Sequence, residues 1–263
     1  MAILLTFEPV IGISIIGTGN VATQLANAIA KSPLLRLDCV YGRSEVKLES
    51  FKKITSTKTS LDNMQNTGLL VFAIQDDALK SMTDKIAVGD ILTVHTSGSV
   101  SVNVFKKYER YGVFYPLQTF TAGREIDVEK IPFCLEAKNK KDLDILKNVA
   151  GALGANHYEV NSEQRAKLHL AAVYANNFVN SILAEAKKLS EKANLPFEIL
   201  QPLVEETVKK GFELGPKNAQ TGPARRGDHE VLKKQIDALD LDQKELYKTL
   251  TNSILKRYER EEL

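Results

Sequence analysis

Short, near-continuous apolar runs alternate with stretches of helical period up to about residue 160, and helical period alone continues beyond it. The runs at 11–16, 37–41, 69–74 and 91–95 have the length and density of strands covered on both faces. The segments between them are long enough for crossover helices, so the expected fold class is α/β with a parallel, doubly wound sheet of Rossmann type. Further β-like runs at 112–117, 132–137 and 156–160 extend that sheet, with a helix over 141–153 between the last two.

After residue 160 the expectation is an all-α domain. Asn161-Ser162-Glu163-Gln164 has the form of a capping box, in which Asn161 caps the Gln164 N–H and Gln164 reaches back. A long helix then runs to about Ala193, stopped by Asn194 and Pro196. Helices come next over 197–212, 228–239 and 242–260, around a Gly/Pro-rich loop at 215–227. Leu183, Leu189, Leu200, Leu203, Val204, Leu246, Leu250 and Ile254 recur at helical spacing. We therefore expect a dinucleotide-binding domain over 1–160 and a helical domain over 161–263. The helical domain is expected to complete the substrate cleft and to pair with a second copy of itself as a homodimer.

The first strand enters Gly17-Thr18-Gly19-Asn20-Val21-Ala22 and continues into a helix, which is how a dinucleotide-binding βαβ unit opens. Gly17 permits the tight turn, Gly19 lets the backbone approach a pyrophosphate, and Ala22 is the small residue at the helix–strand contact. The alternative is a strand-to-helix turn in an unrelated α/β protein. The second strand ends in Tyr41-Gly42 without the Asp or Glu that accepts from an NAD ribose. Arg43 and Ser44 stand there instead, a guanidinium and a hydroxyl suited to a 2′-phosphate. NADP is the expected cofactor, unless Arg43 is an ordinary solvated loop cation.

Charge and cysteine usage narrow the partners. Lys and Arg number 35 against 33 Asp and Glu, a net charge of +2, and the signs are mixed along the chain. No basic stripe for nucleic acid is visible. No run approaches the roughly 20 apolar residues of a membrane span. Met1–Pro9 has an apolar start without a basic region or cleavage site, so it reads as mature protein. Cys39 and Cys134 fall inside strands and read as buried free thiols. A cytoplasmic location without a cysteine metal site is the expectation.

Ligands of open α/β sheets lie beyond the carboxyl ends of the strands, which directs attention to the residues just after each strand. Ile74, Gln75 and Asp76, with Asp77 next, would lie beside the cofactor. His95, Thr96 and Ser97 come after the next strand and face the same crevice. Each also reads as turn chemistry, with Asp76, Asp77 and Ser97 capping the helices after them. Tyr115-Pro116-Leu117-Gln118-Thr119 closes another run, with Gln118 as a candidate substrate contact.

On the long helix His169 and Asn176 are seven residues apart, about 20° from alignment on an α-helix. One reading is an interhelical histidine with Asn176 and Asn177 bonded across an interface. The other makes His169 the proton donor to a substrate carbonyl or imine, with Asn176 orienting it and Asn177 in contact. Finally, Thr221-Gly222-Pro223-Ala224-Arg225-Arg226-Gly227-Asp228 offers two guanidinium groups for an anionic substrate. A structural turn with one arginine paired to Asp228 explains it equally well.

These segments together resemble a bacterial family with a Rossmann-like NADP-binding domain and a helical C-terminal domain of unassigned function. The carriers are Gly17–Ala22, His95-Thr96-Ser97-Gly98-Ser99, Tyr115–Phe120, His169–Ala172 with Asn176-Asn177, and Thr221-Gly222-Pro223 with Arg226-Gly227-Asp228. They cover nearly the whole chain. The layout is similar to pyrroline-5-carboxylate reductase, ketopantoate reductase and deazaflavin-dependent NADP reductases. The resemblance implies an NADP oxidoreductase acting on a small molecule. It carries no catalytic pair across: the related β-hydroxyacid dehydrogenases place a Lys one turn before an Asn, and here Ala172 and Val173 precede Asn176 and Asn177. Lys167 lies on a different helix face from His169. A dimeric NADP-binding regulator without turnover is the alternative reading.

Overall fold

The structure, a computed structural model, describes residues 10–62 and 67–263. The Met1–Pro9 segment, expected to begin the mature chain, lies outside the described residues. The chain divides into two compact units, one ending at Asn177 and the other running from Phe178 to Leu263.

The first unit is built on eight strands: β1 Ile11–Ile16, β2 Leu35–Tyr41, β3 Ser56–Lys58, β4 Leu69–Phe72, β5 Leu92–His95, β6 Tyr111–Pro116, β7 Phe133–Ala137 and β8 His157–Glu159. They form one sheet in the order β3-β2-β1-β4-β5-β6-β7-β8. The chain order reverses between β1 and β4, where a doubly wound sheet opens its ligand crevice. Alternate residues of β1 point to opposite faces: Ile13 and Ile15 join one buried cluster with Ala22, Leu25 and Ile29, and Ile16 joins the other with Tyr41, Phe72 and Phe105. The buried positions of α1 (Asn20–Lys31), Ala22, Leu25, Ala26 and Ile29, keep the helical period.

Two features depart from the expected parallel sheet. β7 runs antiparallel to β6, whereas the other pairings are parallel. The connection over 117–132 holds a single 3-10 turn, Val128–Lys130, in place of a crossover α-helix, so the chain returns antiparallel. β3, Ser-Thr-Lys at the sheet edge beside β2, has no apolar run to announce it.

The remaining helices of this unit are α2 (Glu45–Leu48), α3 (Asp76–Thr83), α4 (Lys140–Ala152) and α5 (Ser162–Ala172). The capping box forms: Asn161 Oδ1 accepts from Gln164 N–H and Gln164 Oε1 from Asn161 N–H. The expected single helix to Ala193 is instead interrupted by a π-helical segment, Val173–Phe178. The first unit ends within that segment, later than the change of pattern near 160. α5 stays with the sheet because Arg165, fully buried, pairs with Glu136 of β7 and donates to the Val100 carbonyl at 2.6 Å.

The second unit contains α6 (Val179–Lys192), α7 (Gln201–Leu214), α8 (Pro216–Ala219), α9 (Pro223–Arg226), α10 (His229–Asp237) and α11 (Leu241–Arg257). The expected loop at 215–227 thus holds two short helical turns. Ala224, Leu232 and Leu255 form its buried centre. α6 and α7, each of 14 residues, bury none of theirs. Leu189, Leu203, Leu246 and Leu250, which recur at helical spacing, are exposed.

Candidate functional site

The turn after β1 is shaped for a chain with no side chain at Gly17. Its φ is +134°, and a Cβ there would stand 2.1 Å from the Ala73 carbonyl oxygen. Gly19 is the opposite case: it is the N-cap of α1 in extended conformation, and a Cβ would meet nothing within 4 Å. No side chain caps α1. The first backbone bond into the helix is Thr23 N–H to the Gly19 carbonyl, so the N–H groups of Asn20, Val21 and Ala22 are left without a backbone partner among the described residues, at the positive end of the dipole. A diphosphate fits that cradle.

Neighbouring residues are drawn to the same edge. Asn20 Nδ2 donates to the Phe120 carbonyl at 2.9 Å, bringing the segment that carries Gln118 to the start of α1. Gln118 itself is exposed and accepts from the Thr119 N–H. A Cβ at Gly42 would lie 2.5 Å from Thr18 Cγ2, which places Arg43 beside the glycine turn. Arg43 is exposed and makes no ion pair among the described residues. Ser44 caps α2, accepting from the Lys47 N–H.

At the ends of β4 and β5 hydroxyls are linked in a chain. Ser99 Oγ donates to Asp76 Oδ2 at 2.5 Å, and Ser97 Oγ accepts from the backbone N–H groups of Ser99 and Val100. Gln75, not an aspartate, is the N-cap of α3 and makes no side-chain cap. Ile74 is half-buried. Thr96 donates to the Phe72 carbonyl through its N–H at 3.2 Å.

His95, a candidate for cofactor contact, has a fully buried imidazole that packs on Phe105 instead. Its Nδ1 accepts from the Ser97 N–H at 3.2 Å, and Nε2 has no hydrogen-bond partner among the described residues. Burial, and then the charge of Arg165, pushes its pKa from 6.5 down to about 3. The folded value lies below the unfolded one, so its contribution to stability is complete above pH 6.5 and is lost as pH falls toward 3. Unfolding free energy should therefore drop by about 1.4 kcal/mol per pH unit from this group as pH falls below about 6. Urea melts of the wild type and His95→Gln between about pH 7 and pH 4 would show it; equal slopes for the two proteins would contradict it.

His169 on α5 reaches the turn after β5. Its Nδ1 lies 3.1 Å from the Tyr115 hydroxyl, and the two rings meet edge to face at 6.0 Å. A Cβ on Gly98 would be 2.6 Å from that nitrogen, so the imidazole lies against the main chain there. Asn176 and Asn177 are exposed and sit in the π-helical segment, where seven residues no longer equal two α-turns. Lys167 is paired with Glu163 at 2.7 Å.

The arginines at 225–226 belong to the helical unit. Arg225 donates to the Gln220 carbonyl and lies over the Tyr258 ring, and Arg226 Nη2 is 3.6 Å from Asp228 Oδ2. Asp228 occupies the N-cap of α10 without a capping bond. Among the described residues there is no metal-ligand cluster and no helix long and apolar enough to cross a membrane.

Sequence reasoning missed two participants. Tyr115 closes a β-like run, but its meeting with His169 is a long-range contact. Arg165 is four residues before His169, which puts it on the same helix face; that spacing was the available signal.

A family profile described as a domain of unknown function (DUF2520) matches residues 131–254. No curated protein matches the chain. Among solved structures, a "putative NADP oxidoreductase" from Bacteroides fragilis is 38% identical with a TM-score of 0.86, covering 94% of this chain and 98% of that one. A pyrroline-5-carboxylate reductase from Coxiella burnetii is 18% identical with a TM-score of 0.58, covering 95% and 97%. A reductive aminase from Aspergillus terreus, in complex with NADPH and ethyl levulinate, is 14% identical with a TM-score of 0.62, covering 96% and 88%. The last two share the fold. At 38% identity over nearly its full length, the chain belongs to the same family as the Bacteroides fragilis protein, with a Rossmann-like sheet and a DUF2520 region.

Proposed function

We propose that this protein is an NADP(H)-dependent oxidoreductase acting on a small carbonyl or imine compound. The observation that carries the reading is the uncapped, open N-terminus of α1 behind a Gly17 that leaves no room for a side chain. Gly17–Ala22 seat the diphosphate, and the main chain and hydroxyls at 74–76 and 95–97 line the nicotinamide side. The family likeness to an NADP oxidoreductase supports the same cofactor. NADPH, when bound, supplies the hydride. His169 donates the proton that the substrate oxygen or nitrogen gains, and Asn176 orients that atom. Gln118, Asn177, Arg225 and Arg226 are the remaining candidates for the substrate's polar groups. Dinucleotide binding is assigned to residues 1–160, and the substrate cleft and dimer contact to 161–263.

Arg43 selects the 2′-phosphate. A charge-assisted hydrogen bond contributes about 1.5–3 kcal/mol, so Arg43→Ala should weaken NADPH binding about 10- to 100-fold and leave NADH binding nearly unchanged. Calorimetric titration with both nucleotides checks this, and equal losses would remove the assignment.

The protein acts as a homodimer through its C-terminal helices. Helices of this length are marginal unless an apolar face is covered, yet no residue of α6 or α7 is fully buried within the chain. Leu203, Val208 and Phe212 of α7 are all exposed, Phe212 by 90%. Phe212→Asp should shift the mass measured by light scattering from two chains to one. A wild-type protein that is already monomeric at micromolar concentration would contradict the assembly.

Turnover is tested by following NADPH oxidation across a panel of small oxo acids and cyclic imines. The wild type should turn over at least one, and His169→Ala should lose about 100-fold or more while keeping its NADPH affinity. A protein that binds NADPH, oxidises it with no compound and tolerates His169→Ala in the cell would be a regulator instead.

A further inference from the structure

We propose that Tyr115 is a positioning residue for His169: its hydroxyl holds the imidazole by Nδ1, across the bare backbone of Gly98, so that Nε2 is the nitrogen that delivers the proton. The inference rests on the reading of His169 as proton donor. Both partners are held by rigid elements, Tyr115 at the buried end of β6 and His169 on α5, which Arg165 ties to the sheet through Glu136 and to the turn through Val100. Gly98 is what allows the meeting, because a Cβ there would stand 2.6 Å from His169 Nδ1 and 2.8 Å from Tyr115 Cζ.

A phenol suits this place. Its hydroxyl accepts from Nδ1–H when the imidazole is charged and donates to Nδ1 when that nitrogen is bare, so the ring stays oriented in either state. Burial pushes the Tyr115 pKa up to about 12, which keeps it a neutral phenol throughout. The other groups acting on it are Cys134 of β7, Arg165 of α5 and Asp76 of α3. In the step itself, imidazolium Nε2–H passes its proton to the substrate oxygen or nitrogen as the adjacent carbon takes the hydride from NADPH. The products are the alcohol or amine, NADP+, and neutral His169 with Nδ1–H still bonded to the Tyr115 oxygen. Solvent restores the Nε2 proton.

The test reads His169 directly. The chain has four histidines, and the spectrum of His169→Gln assigns the resonance in 15N-labelled protein. At fixed pH, loss of the hydroxyl should shift the 15Nδ1 resonance of His169 in Tyr115→Phe. The NADPH dissociation constant should not change. Gly98→Ala, which forces the rings apart, should move the same resonance in the same direction. An Nδ1 resonance unmoved in both variants would overturn the positioning role, whereas failure of the wild type to bind NADPH would sink the functional reading and leave the spectroscopic result standing.

Discussion

Gly19→Asp should stabilise the protein slightly and abolish tight NADPH binding. The two effects have opposite signs because one side chain meets two demands. Residue 19 has the extended backbone of an N-cap and no neighbour within 4 Å of a Cβ, so an aspartate fits without strain. Its carboxylate would accept from the free N–H groups of the first turn and complement the dipole, worth a few tenths to about 1 kcal/mol over glycine. Those same N–H groups are the proposed diphosphate donors, and the carboxylate would now repel the ligand. Losing two charge-assisted bonds, about 3–6 kcal/mol together, weakens NADPH at least about 100-fold. Gly17→Ala should behave differently. It combines a left-handed backbone with a clash against the Ala73 carbonyl, and should cost about 2–6 kcal/mol of stability. Thermal melts alongside NADPH titrations separate the cases; a Gly19→Asp protein of unchanged affinity would mean that α1 does not bind the diphosphate.

Arg165→Ala should be the most damaging substitution outside the glycine turn. The guanidinium is fully buried, and its partner Glu136 is largely so, accepting also from the Ser162 N–H at 3.0 Å and the Ser162 hydroxyl. Removing the cation leaves a carboxylate buried without its counter-charge, a loss of about 3–5 kcal/mol. Arg165→Met combined with Glu136→Gln removes both charges and should recover much of it. Urea unfolding of the single and double variants measures the difference. If the single variant loses less than about 1 kcal/mol, the pair does not anchor α5 to the sheet.

Much of the first unit was legible because its strands are apolar runs bounded by turns, and periodicity reports burial. The short polar strand Ser56–Lys58 is held by hydrogen bonds to β2 and buries little, so it leaves no such mark. The reversal at β7 depends on a connection that is not a helix, a property of 117–132 rather than of the strand. Gly17 and Gly19 were readable as a motif, but only the backbone separates the one that shapes the turn from the one that leaves it open. His169 was readable as a titratable group on a helix. Its partner Tyr115 lies 54 residues away, and local pattern does not report a contact of that range. The interruption at Val173–Phe178 has no sequence mark, because the residues there, Val-Tyr-Ala-Asn-Asn-Phe, are compatible with an α-helix.

Titration of the purified wild-type protein with NADPH and NADH, monitored by calorimetry, tests the central claim most directly. The dinucleotide cradle with Arg43 at its rim requires one site per chain, with NADPH held at least about tenfold more tightly than NADH. Heat of binding from neither nucleotide would contradict it.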